Sequence, residues 1–544
     1  MCIRDSLATV LTAAVAFWGM TVPQFWFDEA ATISATNRPF GSLLRLLQDV
    51  DAVHGLYYVL MHPWVALFGT SELAMRTPSA LALTLAAPLI TQVAMIYAHR
   101  WSPDRVLLSG LIAGLLFAVL PGLSWAGQEA RGYAMAVLAS VAALWCFERF
   151  RDRGGTAALV GFAVLQAAAV GFSMYAASAV VLYLVRALTW GRRPFLKVLI
   201  ATGGTTGLVL PLGLSALSQS SQISWIDLTV SSVIKRILLR TVPISPGNRG
   251  EPWNDVALEL APWFMGLIAL ILAAGLLRGP GRRLVLWLLS FPLFPMACIL
   301  LAQMMGKQLF QERYFTYATP FLVLALTASL ATIRWRPAAA VLSAGLLGLS
   351  VPSLLGQNTW DAKSGDNYAT ASALVARSDT VIFMDRSNRG VLLAYPAEHE
   401  IADPMLQEDR ISADNLYGLN RPGYESWKID TVGATSVVSN KKNQFHDTVL
   451  SHLRDNGCQQ TQEDRSTRFR ITAGVPGPRC RVTRRHTVIM SWPPLALGCC
   501  PMTENLRAET ERVLSAVSPA TRRTLEESAG RLWAWALKLS LIHI

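Results

Sequence analysis

Charged residues are scarce in this 544-residue chain: Asp, Glu, Lys and Arg make up 15% of it, whereas hydrophobic residues make up 52%. One soluble domain could not bury so much apolar surface around a single core, so the composition excludes an ordinary soluble protein. The apolar residues fall into nearly charge-free blocks of about 20, the length that a helix needs to cross the hydrocarbon layer. The sequence therefore predicts a polytopic membrane protein.

Two further signatures are missing. The seven cysteines contain no CxxC pair of the kind that binds zinc; Cys146 and Cys298 lie inside apolar blocks, which leaves Cys458 and Cys480 as the candidate disulfide. There is also no long basic tract, because the net charge of +12 is spread over short clusters between apolar blocks. These clusters indicate topology signals, and no nucleic-acid partner is expected.

Eleven apolar segments are predicted to be membrane helices, with a break near Ser173 separating the fifth from the sixth: 7–26, 77–98, 106–125, 132–147, 157–174, 176–190, 198–217, 257–277, 284–305, 315–333 and 338–355. Lys and Arg collect in alternate connections, for example at Arg100 and Arg105, at Arg149 and at Arg334. Because such residues are retained in the cytoplasm, the N-terminus is predicted to lie inside and everything after Leu355 outside. We expect a multi-pass protein of the plasma (inner) membrane.

The chain divides into four predicted parts. Residues 1–6 have the appearance of a sequence artefact, 7–355 form the membrane domain, 356–480 form a small extracytoplasmic α/β domain, and 481–544 are a tail of uncertain origin. The α/β prediction rests on strand-like runs at Thr380–Met384 and Ala434–Ser439 and a helical stretch at Asp447–Asn456. No glycine-rich phosphate loop opens a helix here, so no nucleotide is expected. The fold class is mainly α, a polytopic bundle with a small α/β appendage.

Several motifs lie in the connections that this topology places outside, and amphipathic patterns at Ser42–Val50 and Tyr57–Phe68 predict interfacial helices in the first of these loops. The motifs are Phe27-Asp28-Glu29-Ala30-Ala31-Thr32, Asp51-Ala52-Val53-His54-Gly55-Leu56-Tyr57-Tyr58, Phe68-Gly69-Thr70-Ser71-Glu72-Leu73-Ala74-Met75-Arg76-Thr77-Pro78-Ser79-Ala80, Gln128-Glu129-Ala130-Arg131-Gly132-Tyr133 and Gln311-Glu312-Arg313-Tyr314.

In their order, these motifs resemble the GT-C membrane glycosyltransferases. The resemblance is to the family-39-like group, which includes protein O-mannosyltransferases and the lipid A aminoarabinose transferase, and it covers roughly residues 7–355. Gly55 stands where that family often has proline. Each motif is weak alone, so the ordered set carries the resemblance.

The resemblance implies inverting transfer of a sugar from a polyprenyl-phosphate lipid to an extracytoplasmic acceptor. It makes Asp28 the general base and Glu29 the second catalytic carboxylate. Mannose is the first expectation for the sugar, while arabinofuranose, aminoarabinose and galactofuranose stay open. The acceptor is a hydroxyl of a protein, a glycolipid or a polysaccharide.

Cations near the headgroup plane are expected to stabilise the departing lipid phosphate. Arg131 and Arg313 are the main candidates, with Lys307 behind them. Glu129 is predicted either to bind the sugar or to hold a divalent metal ion together with Asp28, and no other cofactor is expected. The remaining candidate substrate-binding residues are His54, Tyr57, Tyr133 and Tyr314.

Simpler roles compete with these assignments. The acidic pair could cap a helix, and Glu129 and Arg131 could pair with each other. Tyr57, Tyr58 and Trp64 could line a sugar site, but the aromatic belt of the membrane interface is the favoured role for them. For the whole chain, the main alternative is a transporter or flippase of lipid-linked or envelope substrates. Such folds are often built from repeated halves, and the sequence shows no matching pair. A non-catalytic scaffold is the third possibility.

Overall fold

The computed structural model describes residues 3–219, 226–242, 252–278, 281–363, 367–421, 434–440, 446–447, 449–451, 459–464 and 469–475. Three predictions therefore fall outside the described residues: the pairing of Cys458 with Cys480, the tail 481–544, and most of the helix at Asp447–Asn456.

The chain is mainly helical. The α-helices are, in order, α1 (Ile3–Phe17), α2 (Phe27–Thr36), α3 (Phe40–Asp49), α4 (Gly55–Phe68), α5 (Glu72–Trp101), α6 (Val106–Val119), α7 (Pro121–Gly127), α8 (Tyr133–Arg153), α9 (Thr156–Phe172), α10 (Ser178–Leu188), α11 (Arg192–Ser218), α12 (Val230–Leu239), α13 (Pro252–Arg278), α14 (Arg282–Met304), α15 (Thr319–Leu330), α16 (Arg336–Gly356), α17 (Tyr368–Val375) and α18 (Gly390–Ala394). The strands are β1 (Thr380–Phe383), β2 (Leu406–Glu408), β3 (Leu419–Asn420), β4 (Thr435–Asn440), β5 (Gln459–Asp464) and β6 (Phe469–Val475).

All eleven predicted membrane segments coincide with helices. Among the described residues, six helices are long and apolar enough to cross a membrane, namely α5, α8, α11, α13, α14 and α16, and the bent pair α6 and α7 passes the same test jointly. The other four segments contain the shorter helices α1, α9, α10 and α15. The predicted interfacial helices of the first loop are α3 and α4. The structure thus confirms a polytopic membrane helix bundle.

The predicted segment 106–125 is not one straight helix. The chain bends by 63° between α6 and α7, where Leu120 has an extended backbone and Pro121 begins the new helix. Proline lacks an N–H donor and disfavours the helical conformation of the residue before it, so the Leu120-Pro121 sequence accounts for the break. Consequently α7 leads directly into the Gln128–Arg131 turn.

The predicted break near Ser173 is confirmed. Helix α9 ends at Phe172, and a short 3-10 turn leads into α10. The ring of Phe162 in α9 packs edge-on against Tyr183 in α10, with centroids 4.9 Å apart. The segment is therefore not one continuous helix, and the two helices meet across the turn through these rings.

Three of the predicted basic connections meet at one end of the bundle. Arg100 at the end of α5 pairs with Glu148 and with Asp152 in the last turns of α8. The guanidinium of Arg105 donates to the main-chain carbonyl of Arg334 at 3.2 Å. We call this the basic end, and the motif loops occupy the opposite end.

The C-terminal region is a small α/β unit. Its sheet has the order β1-β4-β6-β5, with β1 parallel to β4 and the other neighbours antiparallel. Strands β1 and β4 confirm the two strand predictions. The core of this unit is continuous with the first motif loop, because Ile33, Tyr58, Val381 and Val438 belong to one buried cluster. The unit therefore packs directly on the helices that carry the motifs.

Two glycines of α13 allow a matched test of helix packing. A β-carbon at Gly275 would overlap the Ser329 hydroxyl in α15 and lie 2.9 Å from the Ser329 Cα, whereas one at Gly266 would meet nothing within 4 Å. We expect Gly275→Ala to destabilise the bundle by about 1–3 kcal/mol, the usual cost of overpacking. Thermal unfolding in detergent measures this, with Gly266→Ala as the control; equal melting temperatures for both variants would contradict the packing of α13 on α15.

Candidate active site

Asp28 lies in the first turn of α2, at the end of the bundle opposite the basic end. The N-cap of this helix is Trp26, which makes no side-chain capping hydrogen bond. Asp28 is the second helical residue and only 8% exposed. The expectation that the acidic pair caps a helix is therefore wrong for the N-cap position, although carboxylates in a first turn still favour the helix dipole.

Two buried arginines flank the Asp28 carboxylate. Arg313 approaches one carboxylate oxygen at 3.4 Å, and Arg131 approaches the other at 3.7 Å. Burial would lower the pKa of each guanidinium, but the nearby acidic groups raise both pKa values above the ordinary range. Both arginines are thus cations, and their Nε–H groups are buried with no hydrogen-bond partner among the described residues.

Arg131 is held from its other side by two residues of the first loop. Its Nη1 donates to the Tyr58 hydroxyl at 2.6 Å, and that hydroxyl donates to Asp51 at 2.6 Å. Asp51 has a left-handed backbone with φ of 59°, a conformation that non-glycine residues rarely adopt. Asp51 lies in the same motif and had no predicted role, whereas Tyr58 was expected in the aromatic belt of the interface. Their position in one motif was the only signal that connected them.

Arg313 rests on aromatic rings. Its guanidinium carbon lies 5.4 Å from the centroid of the Trp26 ring and 5.7 Å from that of Tyr314. Tyr133 is also buried in this region, with its ring 5.4 Å from that of Trp125. The structure therefore brings the predicted residues Tyr133 and Tyr314 to the same side of the site as Arg313.

Glu29, the neighbour of Asp28, is fully buried and points away from it. Its two oxygens accept from Arg76 at 2.8 and 2.6 Å, and one also accepts from the Ala130 amide at 3.0 Å. Burial alone would raise the pKa of Glu29, but Arg76 and Lys363 outweigh burial, so the net shift is downward. Both oxygens of this carboxylate are thus committed to structural contacts.

Glu129 is likewise buried and fully engaged. One oxygen accepts from the Trp26 indole N–H at 2.6 Å and the other from Lys363 at 2.7 Å. Burial raises the pKa of Glu129 to about 7, and Lys363 opposes that shift. The alternative in which Glu129 pairs with Arg131 is wrong, since the structure gives each a different partner. Lys363 lies outside every motif, so it was not among the predicted site residues.

The predicted metal pair does not fit a divalent cation. Both oxygens of Glu129 are occupied by N–H donors, and Asp28 faces two guanidinium groups that would repel a cation. Within the described residues, no group of three or more His, Cys, Asp and Glu side chains could hold a metal ion. The donor set thus gives no support to a metal role for Asp28 and Glu129.

The other predicted residues differ in placement. His54 lies with its ring 6.0 Å from that of Tyr58; burial, aided by Arg131, lowers the pKa of His54 to about 4, so the ring is neutral near pH 7. Tyr57 and Tyr58 are fully buried in protein, so the expectation of an aromatic belt is wrong for them. Lys307 is exposed and takes no part in the ion pairs around Asp28 within the described structure.

No protein-family model matches the sequence, and no curated protein matches it either. Solved structures do match in fold. The apo crystal structure of ArnT from Cupriavidus metallidurans is 14% identical over 87% of this chain and 98% of that chain, with a TM-score of 0.53. The structure of the same ArnT bound to undecaprenyl phosphate is 13% identical over 87% and 99%, with a TM-score of 0.52. The likeness shows that the fold is of the GT-C type that the motifs indicate.

Proposed function

We propose that the chain is an integral membrane glycosyltransferase that moves a sugar from a polyprenyl-phosphate lipid to an acceptor hydroxyl on the outer side of the plasma (inner) membrane. The observation that carries the proposal is Asp28 held between two buried guanidinium groups, each with an unpaired Nε–H. Buried donors without a partner are costly, and an anionic phosphate would satisfy them. The fold shared with an ArnT that binds undecaprenyl phosphate supports a lipid donor of this class.

Each residue then has one task in an inverting displacement. The acceptor oxygen attacks the anomeric carbon and gives its proton to the Asp28 carboxylate, while the bond from that carbon to the phosphate oxygen breaks. The bonding electrons leave with the lipid phosphate, and Arg131 and Arg313 stabilise the negative charge that grows there. Tyr58 and Asp51 keep Arg131 in place, so a fixed guanidinium donor faces the negative charge that grows on the lipid phosphate.

The metal, if the reaction used one, would need ligands beyond the contacts described above, so no step is assigned to it. Glu129 and Glu29 act in this proposal as supports of the site rather than as groups that touch the sugar. Tyr133, Tyr314, His54 and Tyr57 remain candidates for lining the sugar pocket.

A transporter or flippase is the second candidate function, favoured by the many apolar helices. The cluster of titratable groups, however, lies at one end of the bundle, at the turn before α8 and the start of α2. A transport site is expected near the middle of the membrane, between the helices. The location of the charges therefore favours the enzyme.

The decisive experiment is an assay of purified protein with polyprenyl-phosphate mannose, arabinose, aminoarabinose and galactofuranose, each with and without a chelator. We expect transfer of one sugar to a hydroxyl acceptor, with mannose as the first donor to test. Release of free sugar with no acceptor product, or movement of the intact lipid between leaflets with no transfer, would contradict the proposal.

Arg313 offers a second test of the same site. We expect Arg313→Gln to lower kcat by about 10²-fold, the usual effect of removing one donor that stabilises a developing anion. Arg313→Lys keeps the positive charge but lacks the forked donors of a guanidinium, so its kcat should lie between those of the wild type and Arg313→Gln. The control is Arg334→Gln at the basic end, which should leave kcat unchanged; an unaffected kcat in Arg313→Gln would remove this arginine from the mechanism.

A further inference from the structure

A buried lysine follows the last membrane helix. Lys363 comes seven residues after the end of α16, and its side chain is only 4% exposed. Its ammonium group donates to a Glu129 oxygen at 2.7 Å and to the Gln128 carbonyl at 2.8 Å, and it lies 3.9 Å from a Glu29 oxygen. A lysine is rarely buried without such partners, because the desolvation of its charge must be repaid.

The contacts of Lys363 lead to the reacting groups through Glu129 and Trp26. The second Glu129 oxygen accepts the Trp26 indole N–H at 2.6 Å, which fixes the plane of that ring. The same ring lies under the guanidinium of Arg313, 5.4 Å from its centroid. Arg313 in turn approaches Asp28 at 3.4 Å. Lys363 is thus three contacts away from the guanidinium that faces the carboxylate.

The C-terminal region also holds the other end of α2. Arg410 donates to the carbonyls of Ser34 and Asn37 at 2.7 Å each, which are among the last carbonyls of that helix. Carbonyls at a helix end have no partner within the helix, so a guanidinium is a favourable cap there. Arg410, from beyond the membrane bundle, therefore fixes the C-terminal end of the helix that carries Asp28.

We propose that Lys363 is a positioning residue, which fixes Glu129 and through Trp26 sets Arg313 against Asp28, so that the segment after α16 is part of the active-site architecture. This inference rests on the function proposed above. It assigns the C-terminal region a role in the rate of transfer. Truncation at Leu355 would remove every contact of this region at once, so point variants test the role better.

The physical consequence of removing the ammonium group falls on Glu129. In Lys363→Met this carboxylate stays buried next to Glu29 with no cation of its own, and it must either take up a proton or move towards water. Either change weakens its hold on the indole N–H. In a Glu129→Gln Lys363→Met double variant, the amide oxygen can still accept from Trp26 and no charge is left unpaired.

The test compares kcat and KM for the lipid donor in four variants. We expect Lys363→Met to lower kcat by about 10-fold or more with a much smaller change in KM, since the arginine is misplaced rather than lost. Lys363→Arg should restore most of kcat, and the double variant should recover part of it, because it leaves no buried carboxylate without its cation. Lys235→Met, at an exposed position of α12, is the control and should behave as the wild type.

Hydrogen exchange of the intact protein gives a readout that does not depend on activity. Lys363→Met should lose amide protection in 26–36 and 128–131, whereas Lys235→Met should not. A folded Lys363→Met protein with wild-type kcat and wild-type protection would overturn the inference. If the wild type transfers no sugar at all, the proposed function fails, while loss of protection in Lys363→Met would still show that Lys363 positions the loop.

Discussion

Replacement of Asp28 by asparagine is expected to abolish sugar transfer, with a loss in kcat of about 10³-fold, while the protein stays folded. Asparagine has nearly the same size, and its one carboxamide oxygen can still accept an N–H bond from one of the two arginines, but it cannot take a proton from the acceptor hydroxyl. The contacts of Asp28 at 3.4 and 3.7 Å are longer than charge-assisted hydrogen bonds, so we expect their loss to cost less stability than the loss of the close Glu29–Arg76 pair. Turnover of the lipid-linked donor and thermal unfolding of the same sample measure both effects.

The matched control is Asp104→Asn. Asp104 lies next to Arg105 at the basic end, with a side chain that is 70% exposed, and its loss should change neither turnover nor melting temperature. A scaffold protein would be indifferent to both variants. Turnover of Asp28→Asn within a few-fold of the wild type would show that another group takes the proton.

The membrane helices of this protein could be predicted well because the apolar composition of each segment is sufficient to indicate them. A charge-free block of about 20 residues has few stable states other than a membrane helix, so each predicted segment is helical. The alternation of Arg100, Arg105 and Arg334 with the motif loops was equally readable, and these arginines do lie together. Helix ends were less predictable: α1 ends at Phe17, well before the predicted 26.

The central site residues were predicted from motifs, and their mutual arrangement was not. The motifs placed Asp28, Arg131 and Arg313 in three separate loops, and the fold brings both arginines within 3.7 Å of the Asp28 carboxylate. A motif names a residue but does not say which neighbour it faces. Glu29 and Glu129 were therefore assigned to catalysis or metal binding, whereas each has both oxygens occupied by buried N–H donors.

The role of Lys363 could not be predicted from the sequence. Lys363 is a single lysine in a short connection, with no apolar periodicity and no motif around it, and it meets Glu129 across 234 positions of the sequence. Only the packing of the C-terminal unit on the first loop brings it there. Contacts of such range are decided by the tertiary fold, and a local pattern carries no information about them.

The largest effect on stability is expected at Glu29, although it is next to Asp28 in the sequence. In Glu29→Gln the fully buried guanidinium of Arg76 keeps its bonds to the carbonyls of Met20, Pro23 and Gln24 but loses the one ion pair that it makes within the described residues. Removing one partner of a buried ion pair costs about 3–5 kcal/mol, because the other charge stays buried without compensation. We therefore expect a strongly lowered melting temperature in detergent, together with poor yield of folded protein.

A matched control and the pH dependence separate this role of Glu29 from catalysis. Asp414→Asn breaks an exposed pair with Arg45 and should cost less than about 1 kcal/mol. The lowered pKa of Glu29 means that its stabilisation is complete above the ordinary glutamate range and is lost as the pH falls through the folded-state value. Glu29→Gln should therefore lose less stability than the wild type on acidification. A Glu29→Gln protein that melts like the wild type yet has lost turnover would instead make Glu29 a catalytic residue, as its position in the motif first indicates.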